Sequence, residues 1–186
     1  MKTSFISFSH QTDVNRSKFI THLIPYSQFS DLKSYLKEQH PKANHIVYAY
    51  RHLNELDQIV EASSDDGEPK GCAGVPALNV LRGEDLINVA VLIVRYFGGI
   101  KLGTGGMARA YAKSVKDVVS VSEFDKYEKE IDYSFSTSYS MVDKTSHSLR
   151  ALGITKIEQI FEVDGVKWNI TSTKEKIDRF CDKLEL

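Results

Sequence analysis

The chain has 186 residues, 41% of them hydrophobic, with 24 Lys and Arg against 25 Asp and Glu and a formal net charge of −1. That length accommodates one large domain or two small ones, and the near-neutral charge excludes nonspecific polyanion binding by the whole surface while leaving room for a local basic face. Cys72 and Cys181 are too far apart in sequence for a zinc site or a disulfide framework, the apolar stretch 86–97 is short for a membrane span, and the N-terminus lacks a signal-peptide core, so a cytoplasmic protein without membrane association is expected.

In chain order, TSFISFS (3–9) alternates as a first strand, HQTDVNRS supplies a turn, and KFITHLI (18–24) is a second strand. SQFSDLKSYLKEQHP (27–41) places Phe29, Leu32, Tyr35 and Leu36 on one helical face, with Ser27 or Ser30 as cap and Pro41 beyond its end. NHIVYAY (44–50) and DQIVEAS (57–63) are two more strands joined by RHLNE. SDDGEPKGCAGVP (64–76) is too interrupted by Gly and Pro for regular structure, and VPALNVLRG (75–83) is a short helix. DLINVAVLIVRYF (85–97) is nearly unbroken in apolar character, the signature of a strand buried on both faces.

RYFGGIKLGTGG (95–106) then packs five of the chain's eleven glycines into twelve residues. The helix that follows carries Met107, Tyr111, Val115 and Val118 on one side and Arg109, Lys113 and Lys116 on the other. The charged segment 122–130 marks a domain boundary, giving domains 1–126 and 127–186. The second reads β-α-β-β-α: EIDYSFSTSY (130–139) with Ile131, Tyr133, Phe135 and Tyr139 on one face, a helix ending at Gly153, a hairpin turning at Asp164-Gly165, and a last helix with Ile177, Phe180, Cys181 and Leu184 inward. This is a ferredoxin-like order whose final strand is short or missing.

Several readings of the glycine segment compete. A phosphate-binding Walker loop fails because Thr104 stands where lysine is required. A dinucleotide fingerprint matches Gly103, Gly105 and Ala108, but the acids at the right distance, Glu123 and Asp125, fall in the charged linker. A general anion cradle remains, formed by glycine amides at a helix N-terminus, with Thr104 as an alternative cap. So does plain close packing against a neighbouring backbone. Asp65, Asp66 and Glu68 cluster without the spacing of a calcium loop, and such carboxylates commonly hold their own turn. His45 lies in an apolar strand, and Cys72 between Gly71 and Ala73 is reactive only with a depressed pKa.

SSDDGEPKGCAGVP (63–76) followed by VLIVRYFGGIKLGTGGMARAY (91–111) resembles the signature of the IMPACT/YigZ family, and ANHIVYAYR (43–51) resembles that family's strand motif. Lys70, Cys72 and Met107 depart from the small residue, threonine and leucine of the pattern. The resemblance implies an α+β protein. Its N-terminal domain would be like the second domain of small-subunit ribosomal protein five, a mixed sheet backed by helices, and its C-terminal domain like the ferredoxin-like domains of elongation factor G. It also implies a non-enzymatic, translation-associated role, with RNA or the ribosome as partner. Phosphates would contact Arg95, Lys101, Gly103, Thr104, Gly105, Gly106, Arg109 and Lys113, beside a motif loop of His45, Asp65, Asp66 and Glu68. No catalytic residue, metal or cofactor is assigned. A protein partner is a further implication, because eukaryotic relatives bind a regulator of a stress-activated kinase through an additional fused domain. The alternative is an enzyme on a small phosphorylated substrate, by kinship with the GHMP kinases: Gly103 to Gly106 would hold the phosphate, Asp66 or Glu68 a metal or proton, and His45 a second proton.

Overall fold

The computed structural model describes residues 1–184, with the side chain of Leu184 outside the described set. Its contacts divide into two units, Met1–Tyr127 and Glu128–Leu186.

The first unit is built on a five-stranded sheet. The strands are β2 (Phe8–Val14), β3 (Ser17–Pro25), β4 (His45–Leu53), β5 (Ile59–Ser64) and β6 (Val89–Tyr96), in the order β2-β3-β6-β4-β5. A small ladder ties the ends of the unit together: β1 (Lys2–Thr3) pairs with β7 (Asp125–Lys126). The expected mixed sheet is corrected, because all four pairings in the large sheet are antiparallel. The reason is the path of the chain. Helix α1 (Phe29–Gln39) carries the chain from β3 to β4, which run the same way, but β6 inserts between them and opposes both.

β6 is buried on both faces because it is central and helices cover each side. Val89, Val91 and Ile93 enter a core shared with α2 (Gly74–Gly83) and α3 (Gly103–Ser120), where Tyr111, Val115 and Val118 are fully enclosed. Ala90, Leu92 and Val94 enter the opposite core, closed by Leu36, Phe29 and Leu32 of α1. Tyr35, placed by periodicity on that face, is instead exposed, and the N-cap of α1 is Gln28 rather than a serine.

The first hairpin also departs from the sequence reading. β2 runs through His10–Val14, and the turn is only Asn15-Arg16, both at positive φ, which suits the twist of the flanking strands.

The second unit packs α4 (Val142–Ala151) and α5 (Lys174–Leu184) on one core with the antiparallel sheet β8 (Glu130–Thr137), β10 (Gly165–Thr173) and β9 (Lys156–Glu162), in the order β8-β10-β9. Trp168, Phe180 and Leu149 are fully buried there. Tyr139 is exposed rather than inward. The hairpin turn is Val163-Asp164, with Gly165 already paired to Glu162. Gly165 serves close packing, since a Cβ there would lie 2.3 Å from the Thr137 carbonyl oxygen.

Candidate functional site

The motif segments converge beneath the first turn of α3. Asp65, on the loop after β5, spends its carboxylate on backbone: Oδ1 accepts from the N–H groups of Ala73 and Gly74 at 3.0 and 2.8 Å, and Oδ2 from Gly71 at 2.8 Å. Burial alone would raise its pKa, yet these three donors leave it below the usual Asp value. The result is a distal cap for α2, whose own N-cap position, Ala73, has no side-chain cap. Asp66 Oδ2 accepts from Ile46 N at 2.6 Å, joining the loop to β4.

Glu68 is buried, and its carboxylate meets three groups. Arg95 Nη1 and the Tyr111 hydroxyl (2.7 Å) donate to Oε1, while His45 Nε2 lies 3.7 Å from Oε2. His45 Nδ1 must carry a proton, because its partner at 2.7 Å is the Asp66 carbonyl oxygen, which can only accept. Arg95 Nη1 also reaches Met107 Sδ at 3.5 Å, and its guanidinium lies 5.5 Å from the Phe19 ring centroid.

The glycines of the segment that follows differ in what they are needed for. Gly98 packs so closely that a Cβ would fall 2.0 Å from the Arg16 carbonyl carbon, so the first hairpin turn rests on the chain there. Its N–H donates to Ser17 Oγ at 3.2 Å, and the Phe97 N–H donates to Asn44 Oδ1 at 2.8 Å. Gly103, by contrast, has open space where a Cβ would stand and needs glycine for its φ of +69°. Gly105 has no positive φ, and a Cβ would meet only Arg109 Nη1, at 3.5 Å.

Helix α3 begins at Gly103, with Leu102 at the N-cap, no side-chain cap and no acidic residue in its first turn. Thr104 therefore lies inside the helix rather than capping it. The dinucleotide fingerprint fails for the same reason: Gly103, Gly105 and Ala108 are helical residues after an antiparallel strand, not a loop joining a parallel strand to a helix.

The sequence segment matched by the Impact N-terminal domain family is residues 15–119, from the first hairpin turn to the end of α3. The chain belongs to the IMPACT family. Among curated relatives, it is 44% identical over 111 residues to the IMPACT family member YvyE of Bacillus subtilis, covering 58% of this chain and 50% of that one. It is 31% identical over 156 residues to the IMPACT family member in the pol 5′ region of Thermus thermophilus, covering 83% of each. A crystal structure described as that of a hypothetical protein aligns over 98% of this chain and 90% of its own, with a TM-score of 0.68 and 25% identity. The chain spans about half the length of the Haemophilus influenzae and Bacillus subtilis relatives it matches, 56% and 50%.

In this IMPACT family chain the residues read from the sequence separate into two layers. Lys101, Gly103, Thr104, Gly105 and Arg109 lie at the start of α3 and all five are exposed, with Gly106 half-buried beside them, and Lys113 is exposed one turn further on. Lys113 is partly neutralised, donating to Asp117 Oδ2 at 2.6 Å. His45, Asp65, Asp66 and Glu68 lie in the supporting layer. Arg95 joins them there: expected among the phosphate contacts, it is enclosed and committed to Glu68. Arg109 and Lys116 flank a groove of about 560 Å³ between α2 and α3, floored by Val80, Ala108 and Ala112.

Three members of the cluster carry no sign of their partners in the sequence. Tyr111 is visible there only as an apolar helix position. Asn44 and Ser17 pin the start of the glycine segment, and nothing in their spacing announces it. Among the described residues no group of three or more His, Cys, Asp or Glu side chains is arranged to hold a metal ion, and no helix is long and apolar enough to cross a membrane.

Proposed function

We propose that this IMPACT family chain is a non-enzymatic, translation-associated regulatory protein that binds RNA or the ribosome through the first turn of α3 and the basic face that continues it. Gly105 carries the reading. Glycine in a helix costs about 0.5–1 kcal/mol relative to alanine, and here neither φ nor a close neighbour requires it. A bare, uncapped helix N-terminus leaves amide donors and the positive end of the dipole available to a phosphate. Arg109 lies alongside Gly105, and Lys101 and Lys116 extend the positive charge. The translational setting rests on the family resemblance, and the kinship of both domains with domains of translation proteins is a fold-level analogy.

The geometry of the motif loop supports binding over proton transfer. Asp65 is spent on three amides, Glu68 on Arg95 and Tyr111, and His45 Nδ1 on the Asp66 carbonyl oxygen. The carboxylates that an acid–base or metal mechanism would use are engaged in holding the turn.

The test is binding of single-stranded RNA and of ribosomes across a salt series. Affinity is expected to fall steeply with salt, and Arg109→Ala to reduce the slope by about 1. No measurable affinity for either at low salt would discard the reading.

A further inference from the structure

Burial in the C-terminal unit is uneven across its sheet. On the central strand β10, Trp168 and Ile170 are enclosed, whereas Ile131, Tyr133 and Phe135 of β8 are only half-buried although they belong to the same core. β8 pairs with β10 on one side and, among the described residues, with no strand on the other. Its described elements follow the first five of a β-α-β-β-α-β arrangement.

The two edges of this sheet differ in chemistry. β9 carries Lys156, Glu158 and Glu162 within its seven residues. β8 has charge only at Glu130 and Asp132, and from Tyr133 to Ser140 the chain reads YSFSTSYS, without charge or proline. Charges, prolines and bulges are the usual devices that keep an edge from pairing, since its free amides and carbonyls otherwise template another strand. β9 has such protection, and the second half of β8 does not.

We propose that β8 pairs antiparallel with β8 of a second copy of this chain, about a two-fold axis at Ser134, to make a continuous six-stranded sheet. The sequence is self-complementary in that register. Tyr133 of each copy meets Phe135 of the other, Ile131 meets Thr137, and these side chains stay on the core side because paired positions share a face. On the open face Asp132 meets Ser136 and Glu130 meets Ser138, so no like charges oppose one another. The half-buried aromatic edge of the core is covered by its own counterpart, as an isologous interface requires. This pairing is independent of the RNA reading, which uses the other unit.

Sedimentation of the full chain over a dilution series tests the proposal. A reversible monomer–dimer equilibrium is expected. Ser134→Lys places two like charges across the axis from an exposed position, so it is expected to weaken the dimer several-fold, and Ser134→Asp likewise. An equal mixture of the two variants is expected to recover a tighter heterodimer. A monomer throughout the series overturns the proposal. So does a dimer that Ser134→Lys leaves as tight or tighter, or a mixture no tighter than either variant alone.

Discussion

Arg95 and Glu68 form an ion pair in which both side chains are almost wholly enclosed, 6% and 4% exposed, although one comes from the central strand and the other from a loop 27 residues earlier. Removing either partner leaves the other charge buried and unmatched, a loss of about 3–5 kcal/mol. Glu68→Ala and Arg95→Met are each expected to lower the unfolding free energy in urea by about that amount. The double variant is expected to lose clearly less than the sum of the two. Simple additivity would show that the pair is not an energetic unit.

The Tyr111 hydroxyl is pushed far above the usual tyrosine range, first by burial and then by its hydrogen bond to Glu68. Its stabilising contribution is therefore complete below the unfolded pKa, about 10, and is lost as pH rises beyond it, because the unfolded chain releases a proton that the folded chain keeps. Tyr111→Phe is expected to cost about 1–3 kcal/mol at neutral pH and to flatten the alkaline decline in denaturant unfolding. Tyr50 and Tyr133, also raised, keep some slope. An unchanged alkaline slope in the variant would contradict the assignment.

His22 is shifted the other way: burial, and secondarily His40, lower its pKa, and its Nε2 is enclosed without a hydrogen-bond partner. Below about pH 6.5 the unfolded chain binds a proton before the folded chain does, so stability falls as pH drops towards the folded pKa. His22→Met is expected to remove part of that acid-side slope. Unfolding curves between neutral and mildly acidic pH read the difference directly.

Gly98 and Gly105 are seven residues apart and should answer an alanine in opposite ways. Gly98→Ala drives a Cβ into the backbone of Arg16 and is expected to destabilise by about 2–3 kcal/mol. Gly105→Ala meets only a flexible guanidinium and is expected to be neutral or to stabilise by up to about 1 kcal/mol, while weakening RNA binding. Thermal unfolding and RNA titration of the two variants separate these effects. A Gly105→Ala protein that binds RNA as tightly as the parent would remove the main support for the α3 site.

Most elements are legible because burial sets the apolar pattern: β6 is a nearly unbroken apolar run, and α3 and the elements of the second unit are periodic. Local departures follow from chemistry that periodicity does not encode. Arg16 takes positive φ in a turn where glycine is the usual signal, so the sequence pattern draws the first hairpin turn too broadly. Charge alone groups Arg95 with the phosphate contacts, whereas the run VLIVRYF around it already places it within a doubly buried strand. Its acid, Glu68, sits on an irregular loop, and no spacing rule links the two. The antiparallel sheet is hidden because a helical crossover between strands says nothing of a third strand arriving later to separate them.

That late arrival has a consequence for how the chain is made. The hairpins β2–β3 and β4–β5 have no direct pairing with each other, and the strand that joins them, β6, is the last of the five to be synthesised. Each hairpin alone is marginal in water, so the first unit is expected to stay unfolded on the ribosome until residue 96 has emerged, then to close in one cooperative step. Nascent chains arrested before and after that point would differ abruptly in protease resistance, and a gradual rise would argue that the hairpins assemble without their keystone.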